Sequence, residues 1–343
     1  MINRKSTNGI VTSRRGFLQQ STAFAGAAGL GSFAGLTPAL AQSFPDRNLD
    51  IIIPTGEGGG ADRDARAFAK IWANHINTNF EFGYYPGAAG QVGYEFFMRR
   101  DADAYGLIFA NLGPEVIMLA LQDTGIDVGE DIVYIQQTLS EPMSVWVGPD
   151  SQFKTLEDLV EEGKRRPVTV SVSRLPHPAS IGMLALGEAT GANFVLVPYG
   201  GGNPSAMAAI TGEVDCCALP VTNTIVLGDQ ARVLGMFADE NIVPELTNQA
   251  PTVNSAMGTS IPPMTSSRAF GIQRAAYDAY PERVAALVES MQATIADPAY
   301  VEAVESTGVP ALFIDAGGED VAMKTAADMR ELAIKYKDLL SGS

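Results

Sequence analysis

A unit made of a buried strand, a glycine-containing loop and a helix occurs three times between residues 49 and 121, and it constrains the fold more than any other feature. The first strand is the apolar, β-branched run at 49–53, and further strands are predicted at 80–85 and 107–110. A helix is predicted after each strand, the first over 62–76. Regular alternation of strand and helix is typical of α/β proteins with parallel strands. The sequence therefore predicts an α/β fold.

The alternation continues in the second half of the chain. Strands are predicted at 143–147, 168–172, 194–197, 214–219 and 231–237, with helices between most of them. Residues 242–267 show no clear periodicity and are interpreted as a long connection. A last strand at 269–272 precedes helices at 281–295 and 319–339. We therefore expect two α/β lobes, with the chain returning to the first lobe near Ser267.

The first 41 residues have the features of an export signal. Arg14 and Arg15 precede Gly-Phe-Leu, a weakly apolar stretch rich in Ala and Gly follows, and Ala39-Leu40-Ala41 provides a small-x-small cleavage site. The paired arginines resemble a twin-arginine signal, so we expect cleavage after Ala41 and a periplasmic location. An uncleaved membrane anchor is the alternative, but glycines interrupt the apolar stretch. The rest of the sequence contains no apolar run of about 18 residues, so no direct membrane insertion is expected after cleavage.

Charge and composition exclude several functional classes. The chain carries a formal charge of −16, and removal of residues 1–41 leaves 19 basic and 39 acidic residues, which gives −20. Nucleic-acid binding requires clustered Lys and Arg and is therefore not expected. The two cysteines, Cys216 and Cys217, and the two histidines, His75 and His177, are too few for a haem c, iron–sulfur or Cys/His zinc site. We expect no metal, no cofactor and two buried free thiols.

Gly58, Gly59 and Gly60 lie directly before the first predicted helix. The first amide groups of a helix lack internal acceptors, and the helix dipole adds partial positive charge at the same end. Because glycine allows close backbone approach, this loop is a candidate site for a carboxylate. No Gly-Lys-Ser/Thr sequence follows, which excludes a Walker loop. Asp62 is either a helix cap or a ligand contact.

Five loop motifs, in order along the chain and behind the export signal, resemble those of the periplasmic solute receptors of tripartite tricarboxylate transporters. They are Ile53-Pro54-Thr55-Gly56-Glu57-Gly58-Gly59-Gly60-Ala61-Asp62, Pro86-Gly87-Ala88-Ala89-Gly90-Gln91-Val92-Gly93, Asp103-Ala104-Tyr105-Gly106-Leu107, Val197-Pro198-Tyr199-Gly200-Gly201 and Gly212-Glu213-Val214-Asp215. The resemblance spans about residues 49–340 in outline and is weaker after Ile242.

The resemblance implies a two-lobed periplasmic binding fold, type II-like, with a ligand cleft between the lobes. Lobe 1 would comprise residues 42–145 and 268–343, and lobe 2 residues 146–267. The lobes would close by a hinge motion around a small carboxylate, either a di- or tricarboxylate or an aromatic acid. The receptor would act as a monomer, deliver its ligand to inner-membrane permease subunits and catalyse no reaction. Two alternatives stay open: a ligand-sensing receptor of a signalling system, and an enzyme exported by the twin-arginine pathway.

The motifs and the resemblance together predict one ligand-binding set. Its members are Thr55, Gly58, Gly59, Gly60, Asp62, Asn111, Ser173, Arg174, His177, Tyr199 and Asp215. The resemblance implies that the loop with Asn111 lines the cleft and that Tyr199 and Asp215 are cleft residues. Asn111 has an alternative role in a turn or cap, and Asp215 as a structural acid at a strand edge.

The segment 171–178 departs from the family pattern. The family has a Ser/Gly-rich anion-binding loop here, whereas this sequence has Arg174, His177 and two prolines. Arg174 is either a bidentate partner for a carboxylate or a solvated surface residue. His177 is either a hydrogen-bond donor that adds pH sensitivity or a histidine packed in a loop. The departure indicates a ligand outside the family's commonest set.

Overall fold

A computed structural model describes residues 44–341 of the 343-residue chain. The predicted export signal and its cleavage site after Ala41 lie outside the described residues. Within the described range, no helix is both long enough and apolar enough to span a membrane.

Strands and helices alternate along the described residues, which confirms the predicted α/β fold class. The strands are β1 (Leu49–Ile53), β2 (Phe80–Tyr84), β3 (Gly106–Asn111), β4 (Ile132–Val147), β5 (Val168–Val172), β6 (Phe194–Pro198), β7 (Cys216–Pro220), β8 (Arg232–Phe237) and β9 (Thr265–Gln273). The helices are α1 (Gly60–Ile76), α2 (Gln91–Met98), α3 (Leu112–Leu121), α4 (Leu156–Gly163), α5 (Pro178–Thr190), α6 (Gly202–Ile210), α7 (Val221–Leu227), α8 (Val253–Met257), α9 (Arg274–Ala279), α10 (Pro281–Ala296), α11 (Pro298–Glu305), α12 (Glu319–Lys335) and α13 (Lys337–Ser341).

The strands of the described residues form one mixed sheet in the order β2-β1-β3-β9-β4-β7-β5-β6, with β8 paired to β4. β1 is parallel to β2 and β3, and β5 is parallel to β6 and β7. β9 runs antiparallel to β3 and β4, and β4 runs antiparallel to β7. Two parallel sets of strands are therefore joined through β9 and β4.

The middle of β4 is the point at which the two sets meet. The part of β4 up to Pro142 pairs with β9, and the part from Met143 pairs with β7 and β8. Because β7 is antiparallel to β4, its carboxyl end at Pro220 lies beside Met143. The carboxyl end of β3 at Asn111 pairs with Arg268 of β9, next to the same part of β4. The carboxyl ends of both parallel sets therefore converge there.

The sequence predicted only the last part of β4 as a strand. The earlier part contains Gln136 and Gln137, which interrupt the apolar pattern but are buried. Gln136 Nε2 donates to the Gly317 carbonyl oxygen (2.9 Å), and Gln137 Nε2 donates to the Asp315 carboxylate (2.8 Å). Polar side chains whose hydrogen-bond partners lie in a distant segment can be buried without producing an apolar periodicity. The earlier part of β4 was therefore not predicted.

Helices cover both faces of the sheet. Ile51 and Ile53 pack into the core on one face and Ile52 into the core on the other, because successive side chains of a strand alternate. Cys216 and Cys217 alternate in the same way, and both are buried free thiols, as predicted. Burial raises the pKa of both thiols. The inner parallel strands β1, β3, β5 and β7 are thus buried on both faces, which leaves their ends for ligand contacts.

Candidate functional site

A cavity of about 600 Å³, here called the central cavity, lies where the carboxyl ends of the two parallel sets meet. Its walls are the loops after β1, β2, β3, β5, β6 and β7, together with residues of β9. Open α/β sheets bind ligands at the carboxyl ends of strands because loops and helix N-termini converge there. The predicted site residues that line the cavity are Thr55, Gly59, Gly60, Asn111, Ser173, Arg174 and His177.

Asp62 fixes the shape of the loop between β1 and α1. Its carboxylate accepts hydrogen bonds from the Gly58 amide (2.8 Å), the Tyr84 hydroxyl (2.6 Å) and Arg66 Nε (2.7 Å). Burial alone would raise the pKa of Asp62, but these hydrogen bonds lower it below its usual value. Asp62 is the third residue of α1 and not its N-cap, which is Gly59. Its carboxylate anchors the glycine loop and does not line the central cavity.

The first turn of α1 lies along one wall of the cavity. Gly59 precedes the helix in an extended conformation without a side-chain cap, so the first amides of α1 lack an intrahelical acceptor. A Cβ atom added to Gly60 would lie 3.5 Å from Arg268 Nη2, so this helix terminus adjoins a guanidinium group. Thr55 Oγ1 is buried and has no hydrogen-bond partner within residues 44–341. Amide, guanidinium and hydroxyl donors are therefore close together here.

Arg268 was not among the predicted site residues. It is 4% exposed, its Nη2 donates to Glu141 Oε1 (3.0 Å), and its Nε lies 3.2 Å from Asp64 Oδ2. Glu141 also accepts a hydrogen bond from the Thr222 amide (3.1 Å). The pKa of Asp64 is raised to about 6, mainly by burial. The positive charge of Arg268 lowers this pKa, and the negative charge of Glu141 raises it further. We call Asp64, Glu141 and Arg268 the acid–arginine cluster.

Two sequence signals could have identified the residues that were missed. Arg268 is the one charged residue of the otherwise apolar and small-residue strand β9, and buried charges are rare unless they are paired or functional. Gly200 and Gly201 precede α6, which begins at Gly202, as Gly58 and Gly59 precede α1, which begins at Gly60. Gly200, Gly201 and Gly202 also line the cavity. The repeated pattern of glycines at the start of a helix could therefore have identified two walls of the cavity from the sequence.

Arg174 belongs to the wall formed by the loop after β5. Its side chain is 14% exposed, so it is not the solvated surface residue of the alternative interpretation. Arg174 Nη1 donates to the Ala89 carbonyl oxygen (2.8 Å) and lies 3.7 Å from Glu115 Oε1. Burial raises the pKa of Glu115 and lowers that of Arg174, each against the attraction of the other. Arg174 is therefore held in place before any ligand enters.

Asn111 lies at the N-cap position of α3, but its side chain makes no capping hydrogen bond. It lines the cavity at the end of β3, and it also holds Glu115. Its side-chain amide donates to Glu115 Oε1 (2.6 Å), and its backbone amide donates to Glu115 Oε2 (3.0 Å). These bonds compensate the burial of the Glu115 carboxylate and fix the Arg174 side chain indirectly.

His177 is the residue before α5 and caps this helix. Its Nδ1 accepts a hydrogen bond from the Ala179 amide at 3.1 Å. Burial lowers the pKa of His177 well below its usual value, and the positive charges of Arg174 and Arg268 lower it further. The ring is therefore neutral near pH 7. Protonation of His177 is expected only at pH values well below the usual range of histidine, so His177 does not make binding pH-sensitive near pH 7.

Four predicted site residues do not line the central cavity: Gly58, Asp62, Tyr199 and Asp215. The Tyr199 hydroxyl donates to the Glu213 carboxylate (2.9 Å). The Asp215 carboxylate accepts two hydrogen bonds from the Arg166 guanidinium (2.9 and 2.7 Å), which lower the pKa of Asp215. In this structure Asp215 thus acts as a structural acid beside a strand, which was its alternative interpretation.

The charged groups of the cavity wall are paired. Arg174 lies beside one buried carboxylate and Arg268 beside two. Within residues 44–341, no group of three or more His, Cys, Asp or Glu side chains is arranged to hold a metal ion. The wall can hold a small ligand with acceptor oxygens through directed N–H and O–H donors rather than through excess positive charge.

The sequence also matches a known family. A family model described as the tripartite tricarboxylate transporter family receptor matches residues 82–331, which is more than half of the chain. The chain belongs to this family. The resemblance noted from the loop motifs is therefore confirmed. The family and the fold are those of solute-binding receptors and not of enzymes.

Solved structures of such receptors have the same fold. The chain is similar to the periplasmic binding protein BugD, with a TM-score of 0.74, 19% identity and coverage of 86% of this chain and 98% of that one. It is similar to an R. palustris protein solved with adipate (TM-score 0.75, 19% identity, 87% of this chain and 98% of that one). A third similar structure is MatC from Rhodopseudomonas palustris with bound malate (TM-score 0.69, 17% identity, 87% and 100%). These similarities show the periplasmic binding protein fold.

Curated relatives match over a shorter range. An Agrobacterium vitis protein, named a UPF0065 protein, is 26% identical over 196 residues, which is 56% of this chain and 57% of the relative. BugT of Bordetella pertussis is 24% identical over 209 residues, which is 59% of this chain and 64% of the relative. The chain thus spans about three fifths of the length of the curated relatives it matches.

Proposed function

We propose that this chain is a periplasmic solute-binding protein that captures a small carboxylate for a tripartite tricarboxylate transporter. The ligand is a di- or tricarboxylate or an aromatic acid, and it binds in the central cavity. The observation that carries this proposal is the combination of Arg174, Arg268 and the uncapped N-terminus of α1 around one cavity of about 600 Å³. That volume is typical of small-molecule sites.

Local donors are needed because the whole chain repels anions. Its formal charge is −16. The two arginines are nearly buried, and hydrogen bonds from charged donors to a carboxylate contribute about 1.5–3 kcal/mol each. The free amides of α1 add a favourable dipole at the same wall. A small acid held by these groups fits the structures of similar proteins with adipate and malate.

The proposal includes closure of two lobes, residues 42–145 with 268–343 and residues 146–267, around the ligand. Hydrogen bonds between the two segments support it: Arg174 Nη1 donates to the Ala89 carbonyl oxygen (2.8 Å) and Asn203 Nδ2 to the Gly58 carbonyl oxygen (3.3 Å). The boundaries after residues 145 and 267 fall within β4 and β9, the strands that connect the two parallel sets. Bending of these two strands would open the cavity.

Residues 1–41 are proposed to direct export by the twin-arginine pathway, with cleavage after Ala41, and the exported protein is proposed to act as a monomer with inner-membrane permease subunits. The paired Arg14 and Arg15 and the small-x-small site support this route. The test of function therefore begins with the full chain expressed in a bacterium and purified from the periplasmic fraction.

Thermal shift measurements on that protein test the binding proposal. The panel contains adipate, malate, citrate and benzoate, with sugars and neutral amino acids as controls. A ligand at a hundredfold excess over its Kd stabilises the folded state by about 2.7 kcal/mol, so we expect a clear rise in Tm with at least one acid. A rise with sugars alone, or with no compound of the panel, would contradict the proposal.

A further inference from the structure

His177, the residue before α5, lines the central cavity, and the first two backbone positions of α5 itself offer no free amide. Pro178 is the first residue of the helix and has no amide proton. The amide of Ala179 donates to His177 Nδ1 at 3.1 Å. An anion in the cavity therefore cannot use these two positions directly, in contrast to the uncapped N-terminus of α1.

The hydrogen bond from Ala179 fixes the tautomer of His177. A ring nitrogen that accepts an amide proton carries a lone pair, so the single proton of the neutral ring is on Nε2. His177 is 3% exposed and lines the cavity. Within residues 44–341, Nε2 has no hydrogen-bond partner. Nε2 is not among the fully buried atoms that lack a partner, so this N–H group reaches the space of the cavity and can donate to an acceptor supplied there.

The charges near His177 favour an acceptor of negative charge. Burial does most to lower the pKa of the ring, and the positive charges of Arg174 and Arg268 act on the ring in the same direction. A ligand ammonium group at this point would meet two guanidinium groups and an N–H donor. A carboxylate or carbonyl oxygen would satisfy Nε2 and also meet favourable charge.

We propose that the His177 imidazole extends the N-terminus of α5 into the cavity, and that its Nε2–H donates to an oxygen of the bound carboxylate. This inference rests on the proposed function and names a specificity-determining residue for it. The Ala179 amide polarises Nδ1, and the ring passes this polarisation to Nε2, because linked hydrogen bonds strengthen one another. The donor that Pro178 removes from the backbone is thus replaced by a side chain that lines the cavity.

Two substitutions separate the capping role from the donor role. In His177→Asn, the amide oxygen takes the position of Nδ1 and preserves the cap, because Asn is a favoured N-cap residue, but no donor reaches the position of Nε2. In His177→Gln, the side-chain amide reaches that position, while the cap is weakened. We expect His177→Asn to bind the acid of the panel that wild type binds (adipate, malate, citrate or benzoate) ten- to a hundredfold more weakly, with Tm unchanged. His177→Gln should restore most of that affinity and have a lower Tm.

Thr155→Ala is the matched control, because Thr155 caps α4 and does not line the cavity. It should lower Tm without a change in affinity for the same acid. Nitrogen-15 NMR of the ligand-free protein, purified without a histidine tag, should show the Nε2–H tautomer for the resonance that disappears in His177→Asn. An Nδ1–H tautomer, or equal affinity of wild type and His177→Asn, would overturn the role of His177 and leave the proposed function intact. Failure of wild type to bind any of the four acids would instead overturn the proposed function.

Discussion

Asp64 holds its proton more tightly in the folded chain than in the unfolded chain. Its pKa is raised from 3.8 to about 6, first by burial, against the attraction of Arg268. The folded state therefore binds more protons between these two pH values, and the stability that Asp64 contributes at low pH is lost as pH rises through 6. A shift of this size corresponds to a free-energy difference on the order of 3 kcal/mol.

Asp64→Asn should remove the loss of stability that Asp64 causes as pH rises. Relative to wild type, the free energy of unfolding of Asp64→Asn should become larger, so that the variant is the more stable, as pH rises from 4 to 7, because Asn has no charge to bury. Denaturant unfolding at several pH values measures the difference. Asp239→Asn, at an exposed position, removes one charge away from the cluster and is the control. A difference that does not vary with pH would mean that Asp64 titrates as an ordinary surface acid.

At the scale of residues, local sequence predicted the cavity residues that lie at the end of a strand or directly after it. Asn111, Ser173 and Arg174 reach the cavity because each lies at or just after the carboxyl end of a strand that periodicity identified. Arg268 could not be found in this way. The carboxylate that pairs with its buried charge belongs to Glu141, which is 127 residues away in the sequence. The pairing of Asp215 with Arg166 could not be found from local sequence either, because the two residues are 49 positions apart.

At the scale of elements, the loop between β1 and α1 depends on one carboxylate for its shape. Asp62→Ala would leave the Gly58 amide, the Tyr84 hydroxyl and Arg66 without their shared acceptor. We expect a loss of about 1–3 kcal/mol in the free energy of unfolding. We also expect weaker binding of the acids, although Asp62 does not line the cavity, because the glycine loop would no longer be held against it.

Asp297→Ala is the control for Asp62→Ala, since Asp297 caps α11 through the Ala299 amide (2.9 Å) and does not line the cavity. It should lower Tm to a similar extent and leave the affinity unchanged. Isothermal titration of both variants with the same acid makes the comparison. If Asp62→Ala bound the acid as well as wild type does, the glycine loop would have no part in ligand binding.

Apolar periodicity predicted the parallel strands, but only parts of β4 and β9, the strands that connect them. β1, β3 and β5 are short and buried on both faces, which gives continuous apolar runs. β4 was predicted only in its last third, because its buried glutamines are satisfied by the segment around Gly317. The order of the sheet depends on these long-range contacts, so the sequence alone could not define where the two parallel sets meet.

At the scale of the whole molecule, net charge and local donors act in opposite directions on an anionic ligand. The formal charge is −16, and an approaching anion meets this field before it reaches Arg174 and Arg268. Raising the ionic strength from about 10 mM to about 150 mM shortens the Debye length from about 30 to about 8 Å. The long-range repulsion is then screened more strongly than contacts inside the cavity.

The association rate constant of a multiply charged acid should therefore rise with salt. Stopped-flow measurements with citrate over this range of ionic strength should show an increase, and benzoate, with one negative charge, should show a smaller one. The dissociation rate constant should change little, because the bound state is shielded from solvent. A decrease in the association rate constant with salt would show that the arginines dominate the field outside the cavity as well as within it.

The position of β9 between β3 and β4 has a consequence for the order in which the chain is made. A ribosome delivers β1, β2 and β3 first, but the neighbour of β3 on the side away from β1 ends at Gln273. Throughout translation of the intervening segment, β3 presents an unpaired edge, and such edges pair readily with other chains. Premature termination before Arg268 would leave that edge open permanently, so shortened products of this protein should aggregate or be degraded while the finished chain remains dispersed.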